Sequence, residues 1–400
     1  MTNRDFPATR AAGLERLAAF VPMAGHAYST GRNTDPGPDA LASVSLLSPY
    51  VRHRLVSERD VAAAVLAHSS LGSAEKFLQE VLWRTYWKGW LEMRPAVWTQ
   101  FVAERDRMRD AFPNARALAA AEAGMTGIEG FDDWARELVA TGYLHNHARM
   151  WFASIWIFTL RLPWALGADF FLRHLIDADA ASNTLSWRWV AGLQTPGKIY
   201  LAGADNIARY SGGRFAPAGL AKTAQALTEE SPPAPRPLPA AAPHDDDTPA
   251  LLLVTHEDMS PETLFSRMTR LRGAIVLADA GLAFGDPSAR FAAAAATDTA
   301  QRIAAMWSCP VTVMDRLDTG ALAAAAQAAD VRRIVTPYAP VGPVADALRD
   351  ATSALAGNGI TLSQARRSWD ARFWPHATKG FFPFKAQMAA GLMAEGVMRA

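Results

Sequence analysis

The sequence predicts a mainly α half followed by an α/β half. Three observations carry this. Most of the thirteen tryptophans, and the clearest 3.6-residue periodicities, fall before residue 190. Residues 216–249 turn abruptly to proline and alanine, as in SPPAPRPLPAAAPHDDDTP. From residue 250 short apolar runs alternate with alanine-rich helical stretches, the pattern of a parallel sheet wrapped by helices.

Helical spacing is plain at Val81, Leu82, Tyr86 and Trp90, and again over 134–144. The apolar run 150–160 is stopped by Arg161 and Pro163. It is too short to span a bilayer and reads as a buried helix. Prolines deny a helix its donors and stiffen the chain, so 216–249 reads as a semi-rigid or disordered linker. Strands are expected at 251–255, 274–278, 311–314, 333–336 and 359–362, with helices over 288–306 and 321–329 among the connections. His256, Glu257 and Asp258 follow the first strand where a dinucleotide fold would carry GxGxxG, so that fingerprint is absent. The expected domains are 1–215, helical; 216–249, linker; 250–385, a five-stranded parallel Rossmann-like α/β unit; and 386–400, a C-terminal helix or tail.

Four hundred residues with half of them hydrophobic can bury sizeable cores, and the formal charge is +1. That balance argues neither for nor against nucleic acid; a local groove has to supply any phosphate attraction. The single cysteine, Cys309, excludes an internal disulfide and reads as a small hydrophobe, and a reducing cytoplasm fits. The first twenty residues lack the apolar core of a signal peptide.

The most informative stretch is 141–189. It sets Asn146, Arg149, Asp177, Asp179 and Asn183 among tryptophans and long apolar runs. Buried charges and amides are costly unless paired or hydrogen-bonded, so the cluster predicts a polar, ring-bearing cofactor inside a helical bundle. Each signal has a plainer reading. Trp83, Trp87 and Trp90 share a helix face and read as core. Asp177 and Asp179 are placed to cap a helix. His145 and His147 sit two apart, which points them away from one another and argues against metal. Arg52, His53, Arg54 and Arg59 read as a solvated face, or as the rim of a phosphate groove.

TGYLHNHARM and LIDADAASNTLSWRW, with the spacing between them, resemble the flavin-binding domain of the DNA photolyase and cryptochrome family, over residues 28–189. The resemblance implies FAD held in a U shape within an all-helical domain. It implies Asn183 beside flavin N5, the Arg149–Asp177 ion pair over the isoalloxazine ring, and Asp179 near the N3 and O4 edge. Asn146 falls among the cofactor contacts as well as on the substrate-pocket floor. Tyr28 matches a phosphate contact, and Arg32 the DNA-facing rim. VSLLSPY matches the phosphate-binding segment at Ser45, Leu47 and Ser48, with Val44 in place of a threonine. Glu80 matches the glutamate that accepts hydrogen bonds from a pyrimidine dimer. Trp83 and Trp189 match the pocket walls, and Met150 the floor beside Asn146. Arg84 and His147 would meet DNA, His147 standing where the family has arginine. Trp187 and Trp164 match the inner electron-relay positions, and the outer one is Ala121.

The C-terminal half resembles the family's antenna domain in LLLVTHEDMSPETL, RRIVTPYAPVGPVADALRDATSAL and ATKGFFPFKAQM. That domain comes first in ordinary photolyases, so the chain looks like a circular permutation joined by 216–249. Its RxDLR segment is missing, and the resemblance leaves the antenna chromophore open. The implied activity is blue-light-driven repair of cyclobutane pyrimidine dimers by electron transfer from reduced FAD, in a monomer that binds damaged DNA. The alternative is a cryptochrome-type photoreceptor that binds FAD without repair.

Overall fold

The structure is a computed structural model and describes residues 5–38, 40, 43–230, 232–240 and 246–398. His244 and Asp245 of the expected linker lie outside the described residues, as do the first four and last two residues. Helices fill the chain from Arg10–Phe20 to Ala204–Tyr210. Among the described residues from 211 to 249 none lies in a helix or strand, and β1 is Ala250–Val254. β2 (Leu271–Leu277), β3 (Val311–Met314), β4 (Arg333–Pro337) and β5 (Thr361–Ala365) complete one sheet in the order β3-β2-β1-β4-β5. All four pairings are parallel. Parallel neighbours need crossover connections, and the helices Asp286–Trp307, Thr319–Ala328 and Pro343–Ala356 supply three of them. β1 is buried at every position, as expected of a strand covered on both faces.

Local chemistry sets the boundaries. The helix Phe131–Thr141 ends at Gly142, whose φ of 69° favours glycine. The apolar run expected as one buried helix is instead the helix Asn146–Ser154 followed by a π-helical turn, Ile155–Thr159. Arg161, at φ 55°, then reverses the chain.

The helix Leu71–Glu92 is the seam of the molecule. Its Thr85 accepts from Trp369 Nε1 at 3.0 Å, and its Tyr86 hydroxyl donates to the Lys379 carbonyl at 2.7 Å. At its end Glu92 accepts from the Tyr338 hydroxyl at 2.6 Å and the Val341 amide at 2.5 Å. A Cβ on Gly89 would lie 2.9 Å from the Trp374 backbone, so only glycine lets the C-terminal half approach this closely. One core cluster accordingly runs from Leu17 through the helices into β1, β2 and the C-terminal Phe373, Phe381 and Phe384.

Two sequence expectations change here. Arg52, His53 and Arg54 form no solvated face; they are 2%, 1% and 3% exposed. Arg52 pairs with Glu257 at 2.7 Å, and Arg54 with Asp370 at 2.7 Å, Glu58 at 3.3 Å and Asp258 at 3.5 Å. Acids from the loop after β1 neutralise bases that the sequence places two hundred residues away. Residues 216–249, where described, lie along the helices rather than hanging free. Ala221 N donates to Thr159 Oγ1 at 3.1 Å, Leu227 N to the Ala191 carbonyl at 3.0 Å, and Arg188 pairs with Glu229.

Candidate functional site

The helical half encloses a cavity of about 720 Å³, within the range of roughly 300–1,000 Å³ usual for cofactor pockets. Five segments build it. The helix His26–Gly31 brings Tyr28, with Arg32 at its C-cap. The turn before Ser48–Arg52 brings Ser45, Leu47 and Ser48, with Leu46 held at φ 53°. Strain at a non-glycine residue of this kind clusters at ligand sites. The seam helix brings Glu80, Trp83, Arg84 and Trp87. The helices Asn146–Ser154 and Ala180–Ala191 bring Asn146, His147, Arg149, Met150, Asn183, Trp187 and Trp189.

Polar groups around the space are partly satisfied. Arg149 donates to the Asp177 carboxylate at 2.9 Å and to the Leu144 carbonyl at 3.0 Å. Asn183 Nδ2 donates to the Ala168 carbonyl at 2.8 Å. Three buried atoms of lining residues have no hydrogen-bond partner: Asp177 Oδ1, Ser182 Oγ and Trp187 Nε1. An orphaned acceptor, a hydroxyl and an indole donor around one space fit a ligand with polar edges on an aromatic body. Gly167 explains how Trp187 reaches this wall: a Cβ there would meet its ring at 2.4 Å and Trp156 at 2.9 Å.

At the mouth Arg32 forms an ion pair with Glu80, both side chains about one-third exposed. Burial raises the Glu80 carboxyl above its ordinary value, against the pull of Arg32. Burial and the Glu80 charge push the Tyr28 phenol up. Trp83 stacks on Phe381 with centroids 3.6 Å apart and planes at 9°, so the C-terminal half braces one wall. Burial lowers His147 below the usual imidazole range.

Three expected residues are placed otherwise. Asp179 is outside the lining; it caps Ala180–Ala191 by accepting from Ser182 N at 2.7 Å and pairs with Lys88 at 3.0 Å. Its helix-cap reading is the one the geometry carries, and the cationic Lys88, Arg84 and Arg52 hold its carboxyl well down despite burial. Arg84 lines the cavity but is 15% exposed and tied to Glu58 and Asp179, each at 3.3 Å, rather than standing on an outer rim. Trp164 makes its ring contact with Phe101 at 5.6 Å, whereas Trp187 meets Trp156 at 6.2 Å and Phe171 at 5.1 Å. Ala121 is fully buried. Trp87, expected in the core, is buried there and also lines the cavity, one turn after Trp83.

Residues 77–209 match the family model described as the FAD binding domain of DNA photolyase. The chain is 36% identical over 164 residues to a deoxyribodipyrimidine photo-lyase of Streptomyces griseus, covering 40% of this chain and 35% of that one. It is 34% identical over 187 residues to a deoxyribodipyrimidine photo-lyase of Thermus thermophilus, covering 46% and 42%. The chain therefore spans about two fifths of the length of these relatives. A bacterial class III photolyase from Agrobacterium tumefaciens aligns in three dimensions with 51% of this chain and 43% of its own, at 28% identity and a TM-score of 0.43. Residues 77–209 thus match an FAD-binding domain, and over its helical half the chain is similar to the photolyase/cryptochrome family.

Proposed function

We propose that the protein is a photolyase that repairs cyclobutane pyrimidine dimers in DNA under blue light. The observation that supports this most is the meeting of Glu80, Trp83, Asn146, Met150 and Trp189 with Arg149, Asp177 and Asn183 around one cavity. FAD, when bound, supplies light absorption and one-electron chemistry. Tyr28, Ser45, Leu47, Ser48 and Asn146 are the residues we assign to hold it beside the Arg149–Asp177 pair and Asn183. The orphaned Asp177 Oδ1, Ser182 Oγ and Trp187 Nε1 are further contacts of the right chemistry.

The chain's own part is binding, orientation and charge. A dimer must leave the duplex to reach the cavity, and a damaged, poorly paired base costs less to extrude. Trp83 and Trp189 offer flat faces to it. Arg32 holds Glu80 at the mouth, and the raised carboxyl accepts from the pyrimidine edge or shares a proton with charge developing on the dimer. Arg32 and His147 are the groups assigned to the DNA side. The two halves read as a permuted photolyase joined through 216–249, working as a cytoplasmic monomer.

A photosensory cryptochrome is the second reading, favoured by Ala121 at the outer relay position. The test bypasses that relay: protein with chemically reduced flavin is illuminated with a dimer-containing oligonucleotide. Restored pyrimidines are expected, and Glu80→Ala lowers the yield more than it lowers FAD content. Wild type that repairs nothing and binds damaged and undamaged DNA equally supports the sensor instead.

A further inference from the structure

His147 departs from the family pattern, and its surroundings give it a defined tautomer. Its Nδ1 lies 2.9 Å from the Asn33 carbonyl oxygen, which only accepts, so Nδ1 carries hydrogen. In neutral His147 the other nitrogen, Nε2, therefore presents a lone pair. It lies 3.3 Å from the Tyr200 hydroxyl. The Tyr200 ring in turn stacks on Trp189, with centroids 5.9 Å apart and planes at 26°. Trp189 and His147 both line the cavity, and His147 is fixed by stacking on Trp151 at 4.3 Å and 23°. A phenol, a base on its proton and an indole leading to a cofactor cavity are thus set in line.

Oxidising a tyrosine while it keeps its proton is unfavourable, so a tyrosine donates electrons readily only where a base takes that proton. We propose that Tyr200 and His147 form a proton-coupled electron donor that feeds the FAD cavity through Trp189. The inference rests on the FAD chemistry of the proposed function. Bound in the cavity and excited in its oxidised form, FAD would supply the one-electron oxidant; Trp189 would give up one electron and become an indole radical cation. Tyr200 returns one electron to Trp189; its O–H bond breaks, and the proton passes to His147 Nε2. The products are a neutral tyrosyl radical, an imidazolium held by the Asn33 carbonyl, and restored Trp189. Electron and proton end on different groups, which slows their recombination. The pathway supplies an outer donor in a chain whose matching relay position is Ala121.

The protonation states support this direction. Burial keeps the Tyr200 phenol protonated, pushing it up to about 12. Burial, helped by the positive Arg32, lowers His147, while Asp35 and the Asn33 carbonyl pull the other way, so His147 is a free base near neutral pH.

Flash excitation of FAD-loaded protein, with oxidised flavin and radicals followed by transient absorption, tests this. Wild type is expected to form a tyrosyl radical, and to form it more slowly in D₂O. Tyr200→Phe should lose that signal while keeping FAD content and the flavin spectrum. His147→Gln should lose both the tyrosyl yield and the isotope effect. The yield should also fall as pH drops through the lowered His147 value. A tyrosyl signal that survives Tyr200→Phe, or FAD-loaded wild type showing tryptophanyl radicals alone, overturns the inference and leaves the repair reading standing. Wild type that takes up no FAD overturns the repair reading itself, and this inference with it.

Discussion

The two faces of the Leu71–Glu92 helix bury polar groups in opposite ways. Toward the sheet, charge meets charge. Arg52, Arg54 and Lys88 face Glu257, Asp258, Asp370 and Asp179, and each of these carboxylates meets at least one cation. Toward the cavity, pairing stops halfway. Asp177 has Arg149 on one oxygen and nothing on the other, and Trp187 and Ser182 have free polar atoms beside open space. Asp370 Oδ2 and His53 Nε2 also lack partners at the seam, but neither residue lines the cavity. A closed ion network joins two halves of a chain; an open one of similar composition waits for a ligand.

That contrast breaks most visibly at Arg54. Arg54→Ala removes the cation paired with the buried Asp370, while Glu58 keeps Arg84 and Asp258 keeps Arg367, and breaking a buried pair costs about 3–5 kcal/mol. Urea unfolding should show the loss, with flavin content per folded molecule unchanged. Flavin loss with full stability would reverse the roles assigned to the two faces.

Acid should weaken the seam. Burial lowers His256 from 6.5 to about 4, so the unfolded chain binds the extra proton first. Its contribution is complete above about 6.5 and is lost as pH falls toward 4, on the order of 3 kcal/mol by linkage. Glu257, drawn down to about 2 by Arg52 and Lys88 against its burial, gives up its share only below the ordinary carboxylate value. Urea midpoints from pH 7 to pH 4 measure this; a flat profile contradicts it.

At the cavity the expected effects are on binding. Trp83→Ala should weaken affinity for dimer-containing DNA by about 1–3 kcal/mol, the worth of stacking on a base. A titration with damaged and intact oligonucleotides reads this, and equal weakening on both would remove Trp83 from the lesion wall. Phe382 sharpens the comparison from outside. It is 76% exposed beside the buried Phe381. Phe382→Ser should shift stability by no more than about 0.5 kcal/mol, since it fills neither region.

The sequence made these regions legible to different degrees. The alternation of strands and helices was readable because β1, β2 and β4 carry apolar runs. The cavity residues were readable because Asn146, Arg149, Asp177 and Asn183 sit where apolar side chains would otherwise pack. The seam was not. RHR at 52–54 and HED at 256–258 are ordinary surface sequence until the fold brings them together, and no local pattern encodes a contact across two hundred residues. Asp179 is ambiguous for a related reason: a helix-capping aspartate and a ligand-facing one look alike in sequence. Only its distances to Ser182 N and Lys88 separate the two. The His147–Tyr200 contact was hidden likewise, since it joins a helix start to an irregular segment fifty residues later.

Flavin content tests the central claim that the open cavity is an FAD site. Wild type and Asp177→Ala are purified alike, incubated with excess FAD, desalted and read by absorbance. Wild type should retain FAD in near-stoichiometric amount, and Asp177→Ala should lose most of it while still unfolding cooperatively in urea. Colourless wild type, or an Asp177→Ala protein as yellow as wild type, would contradict the account.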